Sequence, residues 1–368
     1  MSQVKQGREP LLRIAKRDSI SRPKAYAIRA AAILLSLVVS GLFIFAVTRL
    51  NPIQVYEAIY DGALGTAKRS WVTIRDTMML LCIGVGLAPA FKMRFWNIGA
   101  EGQILVGGIV TAGFMRAMGD SIPTPALLVL MAAVSLLAGC VWGVVPAAFK
   151  AFWDTNETLF TLMMNYVAIQ ITNYCVALWE NPKGSNTVGV INQATKGGWF
   201  PKIFGQDYAL NVIIVLAVAI GMYIYLRYSK QGYEITVVGD SQNTARYAGI
   251  NVKKVTIRTM AISGAICGLA GFIAVAGASH TISTTTAGGP GFTAIIVAWL
   301  AQFNSFVMIL ISFLLVFLQK GAIRIASQFN LNDYASNVIT GIILFFILGS
   351  EFFINYRIIT RSGKEAAK

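Results

Sequence analysis

The chain has 368 residues, of which 56% are hydrophobic and only 13% are charged, and its formal net charge is +15. Runs of about 20 apolar residues recur along it, which excludes an ordinary soluble domain and predicts an integral membrane protein. The basic residues gather at the ends of these runs rather than along one solvated face, so the charge indicates membrane topology and not nucleic-acid binding.

The expected fold class is all-α, a bundle of membrane helices. The apolar runs lack the alternation of a β-barrel, and a bilayer interior offers no water to unpaired backbone groups. Hydropathy predicts about ten helices, at 30–48, 73–91, 99–118, 125–148, 158–179, 209–227, 257–277, 291–303, 305–323 and 336–355. The window at 291–303 is too short to cross alone, so we expect a half-helix or a helix that continues across Asn304.

The predicted organisation is a basic cytoplasmic arm at 1–29, a transmembrane domain at 30–355 with a cytoplasmic loop at 228–257, and a cytoplasmic tail at 356–368. The first 29 residues are polar and basic, so we expect an uncleaved signal anchor rather than a cleaved signal peptide. With both termini inside, about two thirds of the 31 Lys and Arg residues face the cytoplasm, as the positive-inside rule requires. In this topology Lys320 and Arg324 fall on the external side of the membrane, which does not agree with the positive-inside rule.

A polar segment, FWNIGAEGQ at 95–103, lies between two apolar runs. Its candidate pathway residues are Trp96, Asn97, Glu101 and Gln103. Polar side chains at membrane depth are costly, which favours either a pathway lining or a fixed network in which Glu101 and Gln103 cap neighbouring backbone. Both alternatives stay open.

Further polar side chains fall inside or beside later apolar runs. Asn165 and Tyr166 lie about two turns inside a predicted helix that Asp154 or Thr155 would cap, and Asn165 suits either a helix–helix hydrogen bond or a solute contact. A GGPGF segment at 288–292 breaks the chain before Gln302 and Asn304, which predicts either a broken helix at a solute site or a plain external turn.

Two more features concern packing and the external side. Gly264, Gly268 and Gly271 are spaced for close helix packing, and no solute role is assigned to them. The loop at 180–208 is polar and is interpreted either as a contact for an extracellular partner or as a solvated connector whose Trp199 and Phe200 rest at the membrane interface.

The segment YEITVVGDSQNTARYAGIN at 233–251 is a polar island between two apolar runs. A connection between membrane helices needs only a few residues, so about thirty residues here must do more than join them. Small residues around a single arginine are typical of a contact surface, and we interpret the island as a short docking helix.

The sequence lacks the motifs of several kinds of binding and catalytic site. No GxxxxGK[S/T] phosphate loop, catalytic triad or Cys/His metal spacing is present, so we expect no catalytic residue, no metal and no ATP hydrolysis by this chain itself. Few carboxylates lie within the apolar runs, which disfavours an ion-coupled carrier. A secondary carrier, a passive channel and a membrane enzyme remain the rival classes.

Four segments, in this order and at familiar distances, resemble the permease subunits of ABC importers for nucleosides and simple sugars, the group that includes ribose-type permeases. These are NIGAEGQ at 97–103, Asn156-Glu157 with Asn165-Tyr166, ARYAGIN at 245–251 and GFTAI at 291–295. The residues of the first and third segments are more similar to those of nucleoside permeases than to those of ribose permeases. The chain departs from the family's pattern at 300–305. Members of the family often have Leu-Gly and then a proline there, whereas this chain has Gln302 and Asn304.

The resemblance implies a permease in the bacterial cytoplasmic membrane that carries a nucleoside or simple sugar without changing it. The implied partners are a second permease subunit, identical or homologous, two cytoplasmic ATP-binding subunits that hold ATP and magnesium, an extracytoplasmic solute-binding protein, and the lipid bilayer around the permease. The polar island would be the coupling helix. Its implied ATPase contacts are Gly239, Asp240, Ala245, Arg246, Ala248 and Gly249, with Asp240 as the helix cap.

Overall fold

The computed structural model describes residues 12–16, 22–331 and 356–360, together with separate helical positions between 338 and 349. Within these residues the chain is almost wholly helical, which confirms the all-α class. The elements in chain order are β1 (Leu12–Lys16), α1 (Arg22–Thr48), α2 (Pro52–Leu64), α3 (Ala67–Lys92), α4 (Ala100–Met118), α5 (Thr124–Trp153), α6 (Glu157–Trp179), α7 (Ala209–Tyr228), α8 (Lys230–Asp240), α9 (Gln242–Tyr247), α10 (Val252–Ala274), a π-helical turn (Val275–Ser279), a 3₁₀ turn (Thr284–Thr286), α11 (Pro290–Leu300), α12 (Ser305–Phe329) and β2 (Tyr356–Thr360).

Each predicted apolar window up to 323 coincides with a helix, but the predicted number of spans is not confirmed. In the described part of the chain, five helices are long and apolar enough to cross a bilayer: α3, α5, α7, α10 with its π turn, and α12. A sixth span results if α1 and α2, which bend by 108° at their junction, count as one. The window at 336–355 lies largely outside the described residues.

The contacts divide the chain into two units, one of residues 66–316 and one of residues 1–65 with 317–368. In the larger unit α10 lies between α4 and α5, and glycines allow the backbones to touch. A Cβ on Gly268 would lie 2.3 Å from the Ser135 carbonyl oxygen, and one on Gly271 would lie 2.2 Å from the Ile104 carbonyl oxygen. The predicted close packing through these glycines is therefore confirmed.

The smaller unit contains α1, α2, the end of α12 and a two-stranded ribbon. Ser40 and Tyr56 share a hydrogen bond of 2.9 Å between α1 and α2, and the Asp61 carboxylate lies 3.1 Å from the Arg324 guanidinium. Strand β1 pairs antiparallel with β2, so the described part of the N-terminal arm is joined to the described part of the C-terminal tail.

Two element boundaries differ from the sequence-based expectation. Helix α1 begins at Arg22, inside the predicted arm, because residues 22–30 are rich in the strong helix formers Ala, Lys and Arg and Pro23 is tolerated in a first turn. Helix α2 falls in no predicted window. It starts with Pro52 after the Asn51 cap, whose side chain accepts from the Ile53 amide.

The larger unit has two distinct ends, separated by the 20 residues of α7, or about 30 Å of helix. The 180–208 loop and His280 form one end, where the Ile191 amide donates to the His280 carbonyl. Helices α8 and α9 lie at the other end beside the α5–α6 turn.

Candidate functional site

The segment between α3 and α4 is an irregular link that carries Trp96 and Asn97. The Asn97 side chain is fully buried, and its oxygen accepts from the Gly99 amide at 3.0 Å. Its nitrogen donates to Ser263 of α10 at 3.2 Å and lies 3.4 Å from the Gln103 amide oxygen. Asn97 and Gln103 therefore form a buried network that fixes the start of α4.

Helix α6 holds the same link from the other side. The Asn165 oxygen accepts from the Gly102 amide at 2.8 Å, and its nitrogen donates to the Ile98 carbonyl at 2.9 Å. Thr161 accepts from the Ile98 amide at 3.2 Å. Of the two roles left open for Asn165, this geometry is that of a bond between elements, since both ends of its amide are engaged by backbone.

Glu101 links α4 to the half-helix α11. Its side chain is buried, and one carboxylate oxygen accepts from the Gly291 amide at 2.8 Å. The amides of Gly289 and Phe292 also face this carboxylate. Helix α11 has no cap from its own first residues, so Glu101 supplies the acceptor and negative charge that a helix N-terminus favours.

The GGPGF segment forms a turn that leads directly into a short helix. Gly288 and Gly289 have φ angles of +37° and +95°, which glycine adopts without a Cβ clash. Helix α11 then runs for only 11 residues and packs on α3, where a Cβ on Gly84 would lie 3.5 Å from Val297. The half-helix expected from the short window is thus present.

An aromatic cluster joins the two irregular segments. The Trp96 and Trp299 rings stack with centroids 5.6 Å apart, and Phe91 and Phe303 pack against them edge to face. Trp96 and Trp299 are each nearly half exposed. The sequence identified Trp96 as a pathway residue but gave Trp299 no role, and only a structure shows that two residues about 200 positions apart stack.

The remaining candidate pathway residues lie apart from this network. Tyr166 is on the exposed face of α6. Gln302 is exposed in the turn after α11, and the Asn304 side chain accepts from the Phe306 amide at 3.0 Å. Asn304 therefore caps α12, while a pathway role for each of these residues stays a prediction.

The polar island forms two short helices rather than one. Gly239 in α8 is pressed against α3, since a Cβ there would lie 2.2 Å from the Lys92 carbonyl oxygen. Ala245 in α9 is fully buried, whereas Arg246 and the residues that follow it up to Gly249 are exposed. Of the predicted contact residues, Gly239 and Ala245 are therefore packed against the protein, whereas Asp240, Arg246, Ala248 and Gly249 are exposed.

Two predicted helix caps are wrong by one or two residues. The cap of α9 is Ser241, whose hydroxyl accepts from the Thr244 amide, because Asp240 is still the last residue of α8. The cap of α6 is Asn156, which accepts from the Leu159 amide. Asp154 is instead the C-terminal cap of α5, with its backbone in the left-handed conformation. Its carboxylate pairs with the Lys150 ammonium at 2.8 Å.

At the other end of the unit the 180–208 loop packs on the protein. The Trp199 ring stacks on His280 with centroids 3.7 Å apart and an interplanar angle of 3°. The Asn192 side chain donates to the Met115 carbonyl at 2.7 Å. Phe200 is buried, so it does not rest at the membrane interface as one alternative expected.

This stack predicts a pH-dependent stability. Burial lowers the pKa of His280, and the charge of Asp207 opposes part of the shift. As the pH falls below about 6.5, the unfolded chain takes up the proton first, so the folded state loses stability until the lowered pKa is passed; above about 6.5 the full contribution is present.

We expect the thermal unfolding midpoint in detergent to fall between pH 7 and pH 5. His280→Phe keeps a ring on Trp199 without a titrating group, so its midpoint should fall less over the same range. Equal pH dependence in the two proteins would contradict this assignment.

Within the described part of the chain, no three His, Cys, Asp or Glu side chains come together as a metal site would require. The expectations that concern cofactors stay predictions. What the described geometry provides is a set of amides, hydroxyls and aromatic rings, together with the Glu101 carboxylate, inside an apolar bundle.

Helices that are long and apolar enough to cross a membrane, together with a short helix whose first turn is held by a buried carboxylate, are typical of membrane transport proteins. Residues 72–348 match the model of a family described as the permease component of branched-chain amino acid transport systems. The chain belongs to this family, and as a permease subunit it is a multi-pass membrane protein.

Three relatives agree with this assignment. The chain is 30% identical to the guanosine ABC transporter permease protein NupP of Bacillus subtilis, over 87% of this chain and 92% of the relative. It is 26% identical to the glucose ABC transporter permease protein TsgB13 of Haloferax volcanii, over 96% of each chain. It is also 26% identical to the nucleoside ABC transporter permease protein NupB of Lactococcus lactis, over 87% and 91%. No solved structure matches the chain.

Proposed function

We propose that this permease subunit imports a nucleoside across the bacterial cytoplasmic membrane, driven by ATP hydrolysis on separate subunits. The similarity to guanosine and nucleoside permeases supports the solute class. Apart from Glu101, whose carboxylate is engaged by the Gly291 amide, the pathway candidates are neutral. With the stacked indoles at Trp96 and Trp299 they suit an uncharged solute with a planar ring. The glucose relative keeps a simple sugar, including a ribose-type sugar, as the second candidate.

The proposed complex contains a second permease subunit, two ATP-binding subunits that hold ATP and magnesium, and an extracytoplasmic solute-binding protein. Both termini and the α8–α9 pair face the cytoplasm, as the distribution of Lys and Arg supports. The 180–208 loop then faces the solute-binding protein. We assign this chain no catalytic role and no nucleic-acid partner.

Within this proposal the pathway candidates divide by exposure. Trp96, Tyr166 and Gln302 present surface to a passing solute. The engaged side chains of Asn97, Glu101, Gln103, Asn165 and Asn304 shape the passage by holding the broken segments in place.

The observation that carries the coupling proposal is that the polar island contains both residues packed on the protein and fully exposed residues. Tyr247 is 94% exposed, although it lies only two residues beyond buried Ala245. Helix α8 touches the Lys92 backbone through Gly239, and its Glu234 pairs with Arg258 of α10 at 2.9 Å. A displacement of α9 therefore passes through α8 to the end of α3, where the segment with Trp96 and Asn97 begins.

This coupling predicts the effect of a charge reversal on α9. In the assembled transporter, Arg246→Glu should lower the ATPase stimulation by solute-loaded binding protein by about tenfold, equivalent to about 1.4 kcal/mol of contact free energy. The reason is that Arg246 is exposed beside Tyr247 and would meet the ATPase with the opposite charge. The measurement compares stimulated with basal ATPase in proteoliposomes.

The matched control is Lys68→Glu, which makes the same change of charge at an exposed residue outside both the polar island and the 180–208 loop. It should leave the stimulation unchanged. Normal stimulation in Arg246→Glu, or an equal loss in both variants, would remove the coupling role from α9.

Uptake assays test the proposed solute class. Purified transporter with its binding protein and ATP should accumulate a radiolabelled nucleoside and should not accumulate glucose or ribose. Accumulation of a sugar alone would establish the second candidate. Uptake without ATP that collapses with an ionophore would instead identify an ion-coupled carrier.

A further inference from the structure

The last turns of α5 present aromatic side chains to the surroundings. Helix α5 is one of the helices apolar enough to cross a bilayer, and its 30 residues give it a length of about 45 Å. The hydrocarbon core of a bilayer is only about 30 Å thick, so the ends of α5 reach the headgroups. Phe149, Phe152 and Trp153 are exposed at one of these ends, where a membrane interface favours aromatic rings.

These rings continue an exposed apolar side of α5. Only 22% of the most apolar stretch of α5 is buried within the chain, and Val129, Leu137 and Val141 are exposed along it. Phe152 follows Val141 by about three helical turns of 3.6 residues each, so it lies on the same side. A side of this kind along a membrane-spanning helix suits lipid tails, which need no hydrogen bonds.

Two lysines of α10 adjoin the exposed rings. The Lys253 ammonium lies 5.2 Å from the centre of the Phe152 ring, which is a cation–π contact between α10 and α5. Lys253 and Lys254 are both exposed in the first turn of α10, and that turn contains no acidic residue. Positive charges there oppose the helix dipole, so these lysines do not stabilise their own helix. Phe152, Trp153, Lys253 and Lys254 are called the α5–α10 surface below.

The carboxylates of the neighbouring α5–α6 turn are engaged elsewhere. Asp154 and Glu157 lie 2.8 Å and 3.2 Å from the Lys150 ammonium. Among the residues that the structure describes, no carboxylate forms an ion pair with Lys253 or Lys254. Two positive charges therefore stand beside exposed aromatic rings, at the headgroup level of a spanning helix, and have no negative group of this chain to balance them.

We propose that the α5–α10 surface binds an anionic phospholipid. Lys253 and Lys254 contact its phosphate, and the Phe152 and Trp153 rings pack on the upper part of its acyl chains. A phospholipid joins a negative headgroup to hydrocarbon and so matches both parts of the surface, whereas a soluble anion would leave the rings exposed. In the proposed orientation this end faces the cytoplasmic leaflet, whose surface is negative. The inference goes beyond the proposed function, since neither solute nor ATP takes part in it.

Quenching of tryptophan fluorescence by brominated lipids tests this assignment, because bromine quenches indoles that lie close to it. The assembled transporter is reconstituted in phosphatidylcholine vesicles that contain a minor fraction of either brominated phosphatidylglycerol or brominated phosphatidylcholine. Each protein is also measured with Trp153→Phe added, and the difference isolates the signal of Trp153 from that of the other tryptophans.

The test variant carries Lys253→Gln together with Lys254→Gln, which removes both charges and keeps side chains of similar length. The matched control carries Lys183→Gln together with Lys196→Gln, two exposed lysines in the loop at the other end of the unit. This control loses the same net charge, so it measures any general attraction between a basic protein and an anionic membrane.

We expect phosphatidylglycerol to quench Trp153 several-fold more than phosphatidylcholine does in the parent and in the loop control, and the two lipids to quench it equally in the test variant. Equal quenching in the parent, an unchanged preference in the test variant, or an equal loss of preference in the loop control would overturn the proposal. Absence of quenching by either lipid would also overturn it, because a protein such as an ATP-binding subunit would then cover the surface.

Inorganic phosphate, added at constant ionic strength, separates a lipid site from a site for a free anion. It should leave the preference for phosphatidylglycerol unchanged, and loss of the preference would identify a phosphate site instead. These measurements need no transported solute and no ATP. A transporter that imports guanosine but shows no preference for phosphatidylglycerol therefore keeps the proposed function and loses only the present inference.

Discussion

Replacing Glu101 with leucine is expected to reduce solute uptake by at least about tenfold and to lower the thermal stability of the purified subunit. The carboxylate is the acceptor for the Gly291 amide at 2.8 Å and faces the amides of Gly289 and Phe292. Leucine has a similar volume but no acceptor, so these amides would be buried without partners, at about 1–3 kcal/mol for each lost bond.

The effect on transport should exceed the effect on folding. Helix α11 is only 11 residues long and ends at the Trp299 ring that stacks on Trp96. Without an acceptor at its first turn, the half-helix can shift along α3, and the stacked indoles at its other end would separate. We therefore expect altered fluorescence from the Trp96–Trp299 pair together with the loss of uptake.

Glu101→Gln is the matched control, since glutamine keeps one oxygen acceptor in nearly the same place but carries no charge. Its uptake should lie between those of the parent and Glu101→Leu. If Glu101→Leu transports normally, or if both variants lose uptake equally while remaining folded, the side chain does not act by capping α11.

The sequence was most informative where composition alone decides the structure. Helices α5 and α7 begin and end within a few residues of their predicted windows, because long apolar stretches have no stable state in water other than burial. The half-helix α11 was also expected, since 288–292 contains three glycines and a proline before a run too short to cross. These features depend on local sequence and need no partner.

The sequence was least informative where the answer depends on which way a side chain points. Asn97 and Asn165 were recognised as polar residues at membrane depth, but a pattern cannot distinguish a solute contact from a bond between elements. The deciding partners, Ser263 and the backbone at 98–102, lie on other elements. Helix α2 was missed because it is shorter than a span and mixes polar with apolar residues, so hydropathy gives it no signal.

A valine at position 268 is expected to prevent accumulation of folded protein in the membrane. The Gly268 Cβ position lies 2.3 Å from the Ser135 carbonyl oxygen and 2.9 Å from the Gly139 Cα. Both are backbone atoms, so no side-chain rotation relieves the clash. Overpacking in a well-packed interior costs about 1–3 kcal/mol and occasionally more, and here the cost falls at the upper end.

Helix α10 cannot move away from α5 to make room, because it is equally close to α4 on its other side. A Cβ on Gly107 would lie 2.3 Å from the Gly268 carbonyl oxygen, and one on Gly271 would lie 2.2 Å from the Ile104 carbonyl oxygen. Separating α10 from either neighbour therefore forces it into the other. Gly268→Ala should show the same defect in milder form.

The matched control is Gly221→Val in α7, where a Cβ meets no atom within 4 Å. Both variants introduce the same branched side chain at a glycine in an apolar helix, so intrinsic helix propensity changes equally in the two. Membrane yield and thermal midpoint in detergent should fall sharply for Gly268→Val and stay near the parent for Gly221→Val. Similar values for the two variants would mean that α10 is not held between α4 and α5 by backbone contact, and the packing that positions Ser263 against Asn97 would need another source.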